Sequence, residues 1–296
     1  LHLTLRQLEV FVAIARHGTT GRGAEATALS QSAASAALAE LERQLGTPLF
    51  DRIGRQLRLN ESGRLLLPRA TALLEQAADI GRLFAGEAAS LRLGASTTIA
   101  QYVLPPFLAR FIEKFPQVSL SLLNGNSRDV EGALLEHRID LGLVEGIIRQ
   151  PNLKYTTFLK DELVAVVSTR SKLVKHDEIT VKELCDVPLV LRERGSGTLD
   201  VLETSLLSHN VRLSDMNVLM YLGSTESIKL FLENTDCMGI VSVRSIDREL
   251  VAGQFKVIEI KDLDMEREFS FVRLQGEESG LSQVFMQFAE HYNKNL

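Results

Sequence analysis

The chain has 296 residues, of which 45% are hydrophobic and 24% are charged, a composition typical of a folded globular protein and too apolar for a disordered one. No run approaches the roughly 20 continuous apolar residues that a membrane-spanning helix needs, and the first residues lack the apolar core of a signal peptide. The two cysteines, Cys185 and Cys237, lie far apart, which argues against a disulfide framework and a cysteine-based metal site. We therefore expect a cytoplasmic protein.

Charge is distributed unevenly along the chain, although the net charge is only −5. Residues 1–90, here called the head, hold ten arginines, no lysine and nine acidic residues, which gives the head a charge of +1. Residues 91–296, here called the body, therefore carry −6. An arginine-only head on an acidic body is consistent with a phosphate-facing module, although ordinary surface arginines give the same pattern.

The head begins with two predicted short helices. Thr4 and Gln7 have the spacing of a capping box before an apolar stripe, and Gly18 provides a stop. A second helical segment spans residues 20–28. A glycine inside a helix destabilises it by roughly 0.5–1 kcal/mol relative to alanine. Gly21 and Gly23 therefore predict a loosely held second helix.

A third predicted helix follows a tight turn. Ser30 is a favourable N-cap for a helix over residues 31–45, which Gly46 closes. Two helices joined by a tight turn, with small and hydroxyl residues at the start of the second, form the helix-turn-helix pattern of DNA-binding proteins. The candidates for contacts with base edges are Gln31, Ser32 and Ser35.

A short two-stranded wing is predicted next, because Leu57 and Leu59 alternate with polar residues. Arg52, Arg55 and Arg58 lie together in this segment. Arginines beside a recognition helix would anchor DNA phosphates and set the register of the helix on the duplex. The alternative is an ordinary solvated hairpin.

Residues 60–89 repeat their apolar positions every seven residues, which predicts one strand of a two-stranded coiled coil between two copies of the chain. Pro68 lies within this pattern and is expected to kink or delay the helix. The alternative is a helix that packs on its own domain. The predicted dimerisation residues are Leu66, Ala70, Leu73, Ala77, Ile80 and Phe84.

The body alternates predicted strands and helices, which indicates mostly parallel sheets covered on both faces, arranged as one sheet or as two lobes. The predicted strands span residues 91–96, 118–123, 140–144, 163–167, 189–191, 218–221, 239–243 and 269–273. The predicted helices include residues 99–115, 130–137 and 281–292.

Five segments of the head together resemble the amino-terminal signature of the LysR-type transcriptional regulators. They are LRQLEVF (5–11), LSQSAAS (29–35), LE (41–42), LGTPLFDR (45–52) and LNESG (59–63). The strand order of the body also suits that family, so the resemblance covers the whole chain. The second helix departs from the family pattern, with Thr20, Gly21 and Gly23 in place of an aromatic residue and alanines. In the third helix, Ser32 replaces a common proline and Ala36 replaces a bulky or basic residue. We therefore expect weak direct base readout, with the arginines and DNA shape carrying more of the affinity.

The resemblance implies an α/β protein with an α-rich head: a winged helix-turn-helix over residues 1–60, a linker helix over 61–89 and an effector-binding domain over 90–296. That domain would resemble periplasmic solute-binding proteins, with lobe I over residues 91–163 plus 268–296 and lobe II over 164–267. The resemblance also implies double-stranded promoter DNA, a small effector and RNA polymerase as partners. It implies a homodimer that assembles further into a dimer of dimers, and DNA bending that changes when the effector binds.

Ligands of two-lobed α/β folds lie at the carboxyl ends of strands, where they face helix amino termini. The predicted effector contacts at such positions are Ser96, Thr98, Asn126, Arg194, Ser196, Thr198 and Thr225, with Arg192 as an alternative to Arg194. These residues fall in four segments, 96–98, 125–127, 194–198 and 223–226, and each segment could instead serve only as a helix cap. The resemblance is strongest to regulators of sulfur or carbon assimilation, and the expected effector is a sulfur oxyanion or a carboxylate.

Two rival classes of function remain. An enzyme is disfavoured because the chain contains no GxSxG, Walker, GxGxxG or HExxH motif and its six histidines lack metal-ligand spacing. We therefore expect that the protein has no catalytic residues and binds no cofactor and no metal ion. A solute-binding protein without DNA affinity would suit residues 91–296 alone and is the second alternative.

Overall fold

A computed structural model describes residues 3–53, 56–85, 89–276 and 280–293. The chain separates into two compact units, and the main division falls between Ser90 and Leu91. The head and the body are therefore described in turn.

Three helices form the predicted helix-turn-helix: α1 (Leu5–His17), α2 (Thr20–Ala26) and α3 (Gln31–Leu45). The capping box at the start of α1 is present, since the Thr4 side chain accepts a hydrogen bond from the Gln7 N–H. Ser30 caps α3 by accepting from the Ala33 N–H. Gly18 and Gly46 end α1 and α3 in the left-handed conformation, with φ of 72° and 70°. The predicted cap residues therefore set these helix boundaries.

The glycine in the middle of α2 has a packing role that the sequence interpretation missed. A Cβ atom at Gly23 would lie 2.5 Å from Cγ1 and 3.0 Å from Cα of Ile14 in α1. Only glycine allows the two helices to approach this closely. The expectation of a loosely held second helix is therefore wrong, because α2 packs closely against α1 at Gly23.

The wing consists of the antiparallel strands β1 (Phe50–Ile53) and β2 (Gln56–Leu59). A long helix, α4 (Glu61–Ala85), follows it. Asn60 starts α4 by accepting a hydrogen bond from the Gly63 N–H at 2.9 Å. The expected delay at Pro68 is therefore wrong. Pro68 has no N–H to donate to the carbonyl of Arg64, four residues earlier in the helix. Arg64 is exposed, so water can donate a hydrogen bond to that carbonyl instead.

The body contains ten strands in one mixed sheet. The strands are β3 (Ala89–Ser96), β4 (Val118–Gly125), β5 (Leu141–Glu145), β6 (Leu153–Ser168), β7 (Glu178–Thr180), β8 (Leu189–Arg192), β9 (Val218–Leu222), β10 (Met238–Ser242), β11 (Phe255–Lys261) and β12 (Glu266–Leu274). The order is β4-β3-β5-β12-β6-β10-β8-β9, with β11 on β6 and β7 on β11.

The helices of the body are α5 (Leu104–Lys114), α6 (Ser127–Leu135), α7 (Val181–Leu184), α8 (Gly197–Ser208), α9 (Thr225–Leu232), α10 (Asp247–Val251) and α11 (Gly280–Asn293). A π-helical turn, Ile99–Val103, precedes α5, so the helix predicted over residues 99–115 changes type within its length. Short 3₁₀ turns lie at Lys172–Lys175, Leu213–Asp215 and Val243–Ser245.

The expectation of mostly parallel sheets is only partly right. β3 pairs with β5 in parallel, and β8 pairs in parallel with β9 and β10, but β6 and β12 run antiparallel to their neighbours. The antiparallel pairs arise because two connections carry the chain between two lobes. β6 crosses at residues 162–163, and the chain returns through residues 265–266 into β12.

Each lobe has its own apolar core. In the first, α5 and α11 pack with aromatic side chains such as Phe111 and Phe285, whose ring centroids lie 5.1 Å apart. In the second, α8 packs against β8 and β10. The two lobes meet at the ends of β3, β5 and β8, and this boundary between them is here called the cleft.

Candidate functional site

The predicted recognition residues lie on the solvent-facing side of the head. Gln31, Ser32 and Ser35 are all exposed at the start of α3. Gln31 and Ser35 line one concavity of about 560 Å³ together with Arg52 of the wing. The other residues around it are Thr19, Thr20, Gly21, Gln56 and Leu57. The helix start and the wing therefore face the same open groove, whereas Ser32 lies outside its lining.

The described arginines of the wing are free of protein partners. Arg52 and Arg58 are exposed, and neither makes a hydrogen bond or an ion pair with any residue that the structure describes. Arg43 on α3 differs, because Glu40 accepts two hydrogen bonds from its guanidinium, at 2.8 and 2.5 Å. Arg55, the third predicted phosphate contact, lies outside the described residues. Unpaired exposed guanidinium groups suit phosphate binding because no carboxylate competes for them.

The predicted dimerisation stripe divides into two parts. Ala70 is 1% exposed in the core of the head, and Leu66 packs against that core. The prediction that Ala70 faces a second copy is therefore wrong, because α4 uses this face to hold its own domain. Leu73 is 46% exposed and Ala77 is half-buried. The side chains of Ile80 and Phe84 lie outside the described part of α4.

In the body, three of the predicted effector contacts converge on one carboxylate. Glu145, at the end of β5, is 4% exposed. Ser96 donates to Glu145 Oε2 at 2.8 Å, Thr98 donates to Oε1 at 3.1 Å, and the Thr198 hydroxyl lies 3.5 Å from Oε1. Ser96 and Thr98 belong to the first lobe and Thr198 to the second. Glu145 therefore joins the two walls of the cleft.

A buried arginine extends this cluster onto the two connecting strands. The Arg267 side chain is fully buried, and its Nε donates to Asp161 Oδ2 at 2.7 Å. Its Nη1 donates to the Thr198 hydroxyl at 3.0 Å and lies 3.4 Å from Glu145 Oε1. Arg267 and Asp161 face each other in the register of β12 and β6. The cluster is thus centred where the chain passes from one lobe to the other.

The other predicted effector contacts lie apart from this cluster. Asn126 and Ser196 serve as helix caps, accepting from the N–H groups of Asp129 and Leu199. Thr225 is buried in the first turn of α9. Helix capping, the alternative interpretation of these segments, therefore accounts for the described contacts of Asn126 and Ser196.

The two candidate arginines of the effector site differ in burial, and the preference for Arg194 stays a prediction. Arg194 is exposed, whereas Arg192 is 1% exposed at the end of β8. Glu193 accepts from Arg192 Nε at 2.8 Å, and Arg192 Nη1 has no hydrogen-bond partner among the described residues. Arg194 lies two residues beyond the end of β8. Arg192, which the sequence analysis kept as an alternative, is the buried one.

Glycines allow the cleft walls to meet. A Cβ atom at Gly197 would lie 2.0 Å from the Glu145 carbonyl oxygen, and one at Gly146 would lie 3.1 Å from Gly197 Cα. Gly146 has a φ of 116°, a conformation that favours glycine. The Arg128 N–H of the first lobe also donates to the Gly195 carbonyl of the second at 3.2 Å. The two lobes are therefore in direct backbone contact at this point.

A second set of contacts joins the lobes at the far rim. The π-helical turn carries Tyr102, whose hydroxyl donates to Glu226 on α9. Lys229 Nζ lies 5.3 Å from the centre of the Tyr102 ring and also bonds Glu249 at 2.6 Å. Burial, followed by the hydrogen bond to Glu226, raises the pKa of Tyr102. The tyrosine therefore stays protonated and serves as a donor.

Two carboxyl groups near Arg128 have raised pKa values. Burial is the main cause for both Glu131 on α6 and Asp200 on α8, and the charge of Asp200 also raises the pKa of Glu131. The Tyr155 hydroxyl donates to Glu131 at 2.7 Å, and burial raises the pKa of Tyr155 to about 12. Acid groups of opposite lobes therefore influence each other across the cleft.

Sequence reasoning missed Glu145, Asp161 and Arg267, the three charged residues of the cluster. Glu145 ends the apolar segment 141–144, and a charge directly after a fully buried strand is a signal that could have marked it. Asp161 and Arg267 lie in distant strands, and only the antiparallel register brings them together.

Within the described residues, no helix is long and apolar enough to cross a membrane. The same residues contain no group of three or more histidine, cysteine, aspartate or glutamate side chains that could hold a metal ion.

Comparison with known proteins identifies the class. The model of the LysR substrate binding domain matches residues 84–293, and that of the bacterial regulatory helix-turn-helix protein, lysR family, matches residues 5–64. The chain is 42% identical over 260 residues to the HTH-type transcriptional regulator YeiE of Escherichia coli strain K12, covering 88% of this chain and 87% of the relative.

Solved structures show the same fold. Full-length CbnR in complex with target DNA superimposes with a TM-score of 0.72 at 20% identity, covering 98% of this chain and 99% of that chain. The regulatory domain of CcmR from Synechocystis PCC6803, in complex with 2-PG, has a TM-score of 0.63 at 26% identity and covers 70% of this chain and 99% of that chain.

The fold and these matches define a helix-turn-helix DNA-binding regulator with a two-lobed effector-binding domain. The chain belongs to the LysR family of transcriptional regulators. The resemblance and the fold class inferred from the sequence are therefore confirmed. A solute-binding protein without DNA affinity is set aside, because the helix-turn-helix model matches the head.

Proposed function

We propose that this regulator binds double-stranded promoter DNA through the start of α3 and the wing, and that a small anionic effector in the cleft of the body controls it. Residues 1–60 would bind DNA, 61–89 would link and pair two copies, and 90–296 would bind the effector. The DNA contacts would be Gln31, Ser32, Ser35, Arg52, Arg55 and Arg58.

One observation carries the DNA part of the proposal. Exposed Gln31 and Ser35 share a single groove with Arg52, and the described wing arginines have no carboxylate partner in the part of the chain that the structure describes. A duplex needs both a helix that reaches base edges and cations that reach phosphates, and both lie on one face here.

Salt dependence of DNA binding tests the proposal. Each neutralised phosphate adds about 0.9 to the slope of log K against log salt, so replacing Arg52 and Arg58 together by Ala should lower the magnitude of the slope by about 2. The measurement is fluorescence anisotropy of the full chain with a mixed-sequence duplex at several salt concentrations. Arg43→Ala is the matched control, because Glu40 already neutralises Arg43. An unchanged slope in the double variant would exclude the wing as a phosphate contact.

The effector part of the proposal rests on the cleft cluster. Three hydroxyl groups and the buried Arg267 converge where both lobes and both connecting strands meet. We propose that the effector binds beside Ser96, Thr98 and Thr198, so that its contacts with both walls bias the angle between the lobes. A small sulfur oxyanion or a carboxylate is the expected chemical class.

The remaining parts of the proposal concern partners and localisation. Leu73, an exposed apolar residue of α4 within the predicted stripe, would pair with a second copy, and a dimer of dimers would follow by family resemblance. RNA polymerase is the further partner proposed on that basis. We also propose that the protein acts in the cytoplasm, where promoter DNA is available, and that it has no enzymatic activity.

A further inference from the structure

A carboxylate of the protein occupies the centre of the proposed effector site. Glu145 accepts hydrogen bonds from Ser96 at 2.8 Å and Thr98 at 3.1 Å, and Thr198 lies 3.5 Å away. These three hydroxyls are among the contacts that the sequence analysis assigned to the effector. Three of the groups expected to bind an anion therefore already lie against an acidic side chain.

The charges around Glu145 leave little positive charge for a further anion. Two buried carboxylates, Glu145 and Asp161, share one buried cation, Arg267. Arg244 adds only a distant contribution, because its Nε lies 3.6 Å from Asp161 and its side chain is 42% exposed. A fully deprotonated anion placed against Glu145 would bring two negative charges together in a poorly solvated site, which is strongly unfavourable.

The cluster nevertheless has one unused donor. Arg267 Nη2 is buried and has no hydrogen-bond partner among the described residues, although Nε and Nη1 of the same guanidinium are both bonded. Buried polar groups normally have partners, so an unpaired guanidinium N–H suggests an acceptor that binds there. The same guanidinium approaches Glu145 through another atom, since Arg267 Nη1 is 3.4 Å from Glu145 Oε1.

The cluster also has an unused acceptor. Glu145 Oε2 receives a described hydrogen bond only from Ser96, and each oxygen of a carboxylate can accept two hydrogen bonds. The unfilled donor and the unfilled acceptor thus belong to two side chains that approach to 3.4 Å through their Nη1 and Oε1 atoms, which is close enough for one small ligand to reach both. The complementary ligand carries an acceptor oxygen and an O–H donor on one small group.

We propose that Glu145 selects an effector oxyanion that keeps a proton when it binds. The O–H of the ligand donates to Glu145 Oε2, and a second oxygen of the ligand accepts from Arg267 Nη2. This inference rests on the proposed effector site and specifies its ligand class. Glu145 is then a specificity-determining residue that rejects fully deprotonated anions, including a bare carboxylate.

Matched pairs of anions test the selection. Hydrogen carbonate and nitrate are both planar, hydrogen sulfite and chlorate are both pyramidal, and phosphate and sulfate are both tetrahedral. Only the first member of each pair keeps a proton near neutral pH. The binding of each anion to the full chain is measured by isothermal titration calorimetry. In the pair whose shape fits the site, the first member should bind at least about tenfold more tightly, because the second member cannot donate a hydrogen bond to the buried Glu145 carboxylate.

A single substitution provides the second measurement. Glu145→Gln keeps the shape of the side chain but presents an NH₂ group in place of a carboxylate oxygen. It should weaken the proton-bearing anion and strengthen its proton-free partner, so that the ratio of their affinities falls by about tenfold or more. Glu162→Gln is the matched control, because Glu162 lies on the same connecting strand but is exposed, and it should leave the ratio unchanged.

The outcomes separate this inference from the proposed function. If both members of a pair bind the wild-type chain equally, or if Glu145→Gln changes both affinities alike, the selection is refuted while the effector site remains. If none of the six anions binds either protein, a small inorganic oxyanion as the effector is refuted together with the selection. Should Glu145→Gln not fold, the affinity ratios of the wild-type chain decide the question.

Discussion

Replacing Gly197 by alanine should force the cleft open. The new Cβ atom would lie 2.0 Å from the Glu145 carbonyl oxygen and 2.6 Å from Glu145 Cγ, both far inside the 3.0 Å that Cβ contacts essentially require. The first atom is main chain at the end of β5 and cannot rotate away. The start of α8 and the end of β5 must therefore separate by about 1 Å or more.

The magnitude follows from the hydrogen bonds that cross the same gap. The Arg128 N–H donates to the Gly195 carbonyl at 3.2 Å, and the Thr198 hydroxyl lies 3.5 Å from Glu145. An added separation of about 1 Å takes both beyond hydrogen-bond reach. A neutral hydrogen bond contributes about 0.5–1.5 kcal/mol and one to a charged group about 1.5–3 kcal/mol, so closure loses about 2–4 kcal/mol. The closed state should become about 30- to 1000-fold less favourable.

Hydrogen exchange measures this change directly. The Arg128 amide is protected while it bonds to Gly195, so its exchange rate should rise with the open population in Gly197→Ala. Gly132→Ala is the matched control, because it lies on the same helix as Arg128 and its Cβ would meet nothing within 4 Å. Equal protection of the Arg128 amide in Gly197→Ala and in the wild type would refute the role of this close approach.

Two further predictions concern the head and the pH dependence. Gly23→Ala should destabilise the head by about 1–3 kcal/mol, because the new methyl group overlaps Ile14. Gly21→Ala on the same helix makes only ordinary contacts and should stabilise the head by up to about 1 kcal/mol. Thermal unfolding of the full chain measures both changes, and equal melting temperatures would refute the packing argument. Burial raises the pKa of Glu131, so the folded chain binds this proton more tightly than the unfolded chain, and ionisation lowers stability as the pH rises through the folded pKa. Glu131→Gln should therefore raise the melting temperature at neutral pH, with a gain that vanishes in acid, and a gain that persists in acid would contradict this cause.

The head was readily predicted from the sequence because local signals determine it. Caps at Thr4 and Ser30 and glycines at 18 and 46 lie within one turn of the boundaries that they set. The role of Gly23 was missed, since its reason is a contact with Ile14 on another helix. The early half of the α4 stripe was assigned to a partner copy, because periodicity alone does not say which surface an apolar face meets.

The body was predicted less completely, and β6 shows why. Residues 163–167 were predicted to form a strand, but β6 extends from Leu153 to Ser168. The register of β6 against β12 shifts near Phe158, where Phe269 pairs with Leu159 and Ser270 pairs with Thr157. This bulge breaks the two-residue alternation by which a strand is recognised in sequence. The hydroxyls of the site were found because they begin helices, whereas its buried charges come from strands that only the fold brings together.

The paired strands β6 and β12 also determine how the lobes can move. Where they cross, the Leu163 N–H donates to the Met265 carbonyl at 3.1 Å, and Asp161 faces Arg267 one step further on. If one strand slid along the other, all the backbone hydrogen bonds between β6 and β12 would break at once. Bending of the two strands together would keep these hydrogen bonds. We therefore expect the lobes to move by bending of this strand pair, and an effector bound to Arg267 would contact the strands that bend.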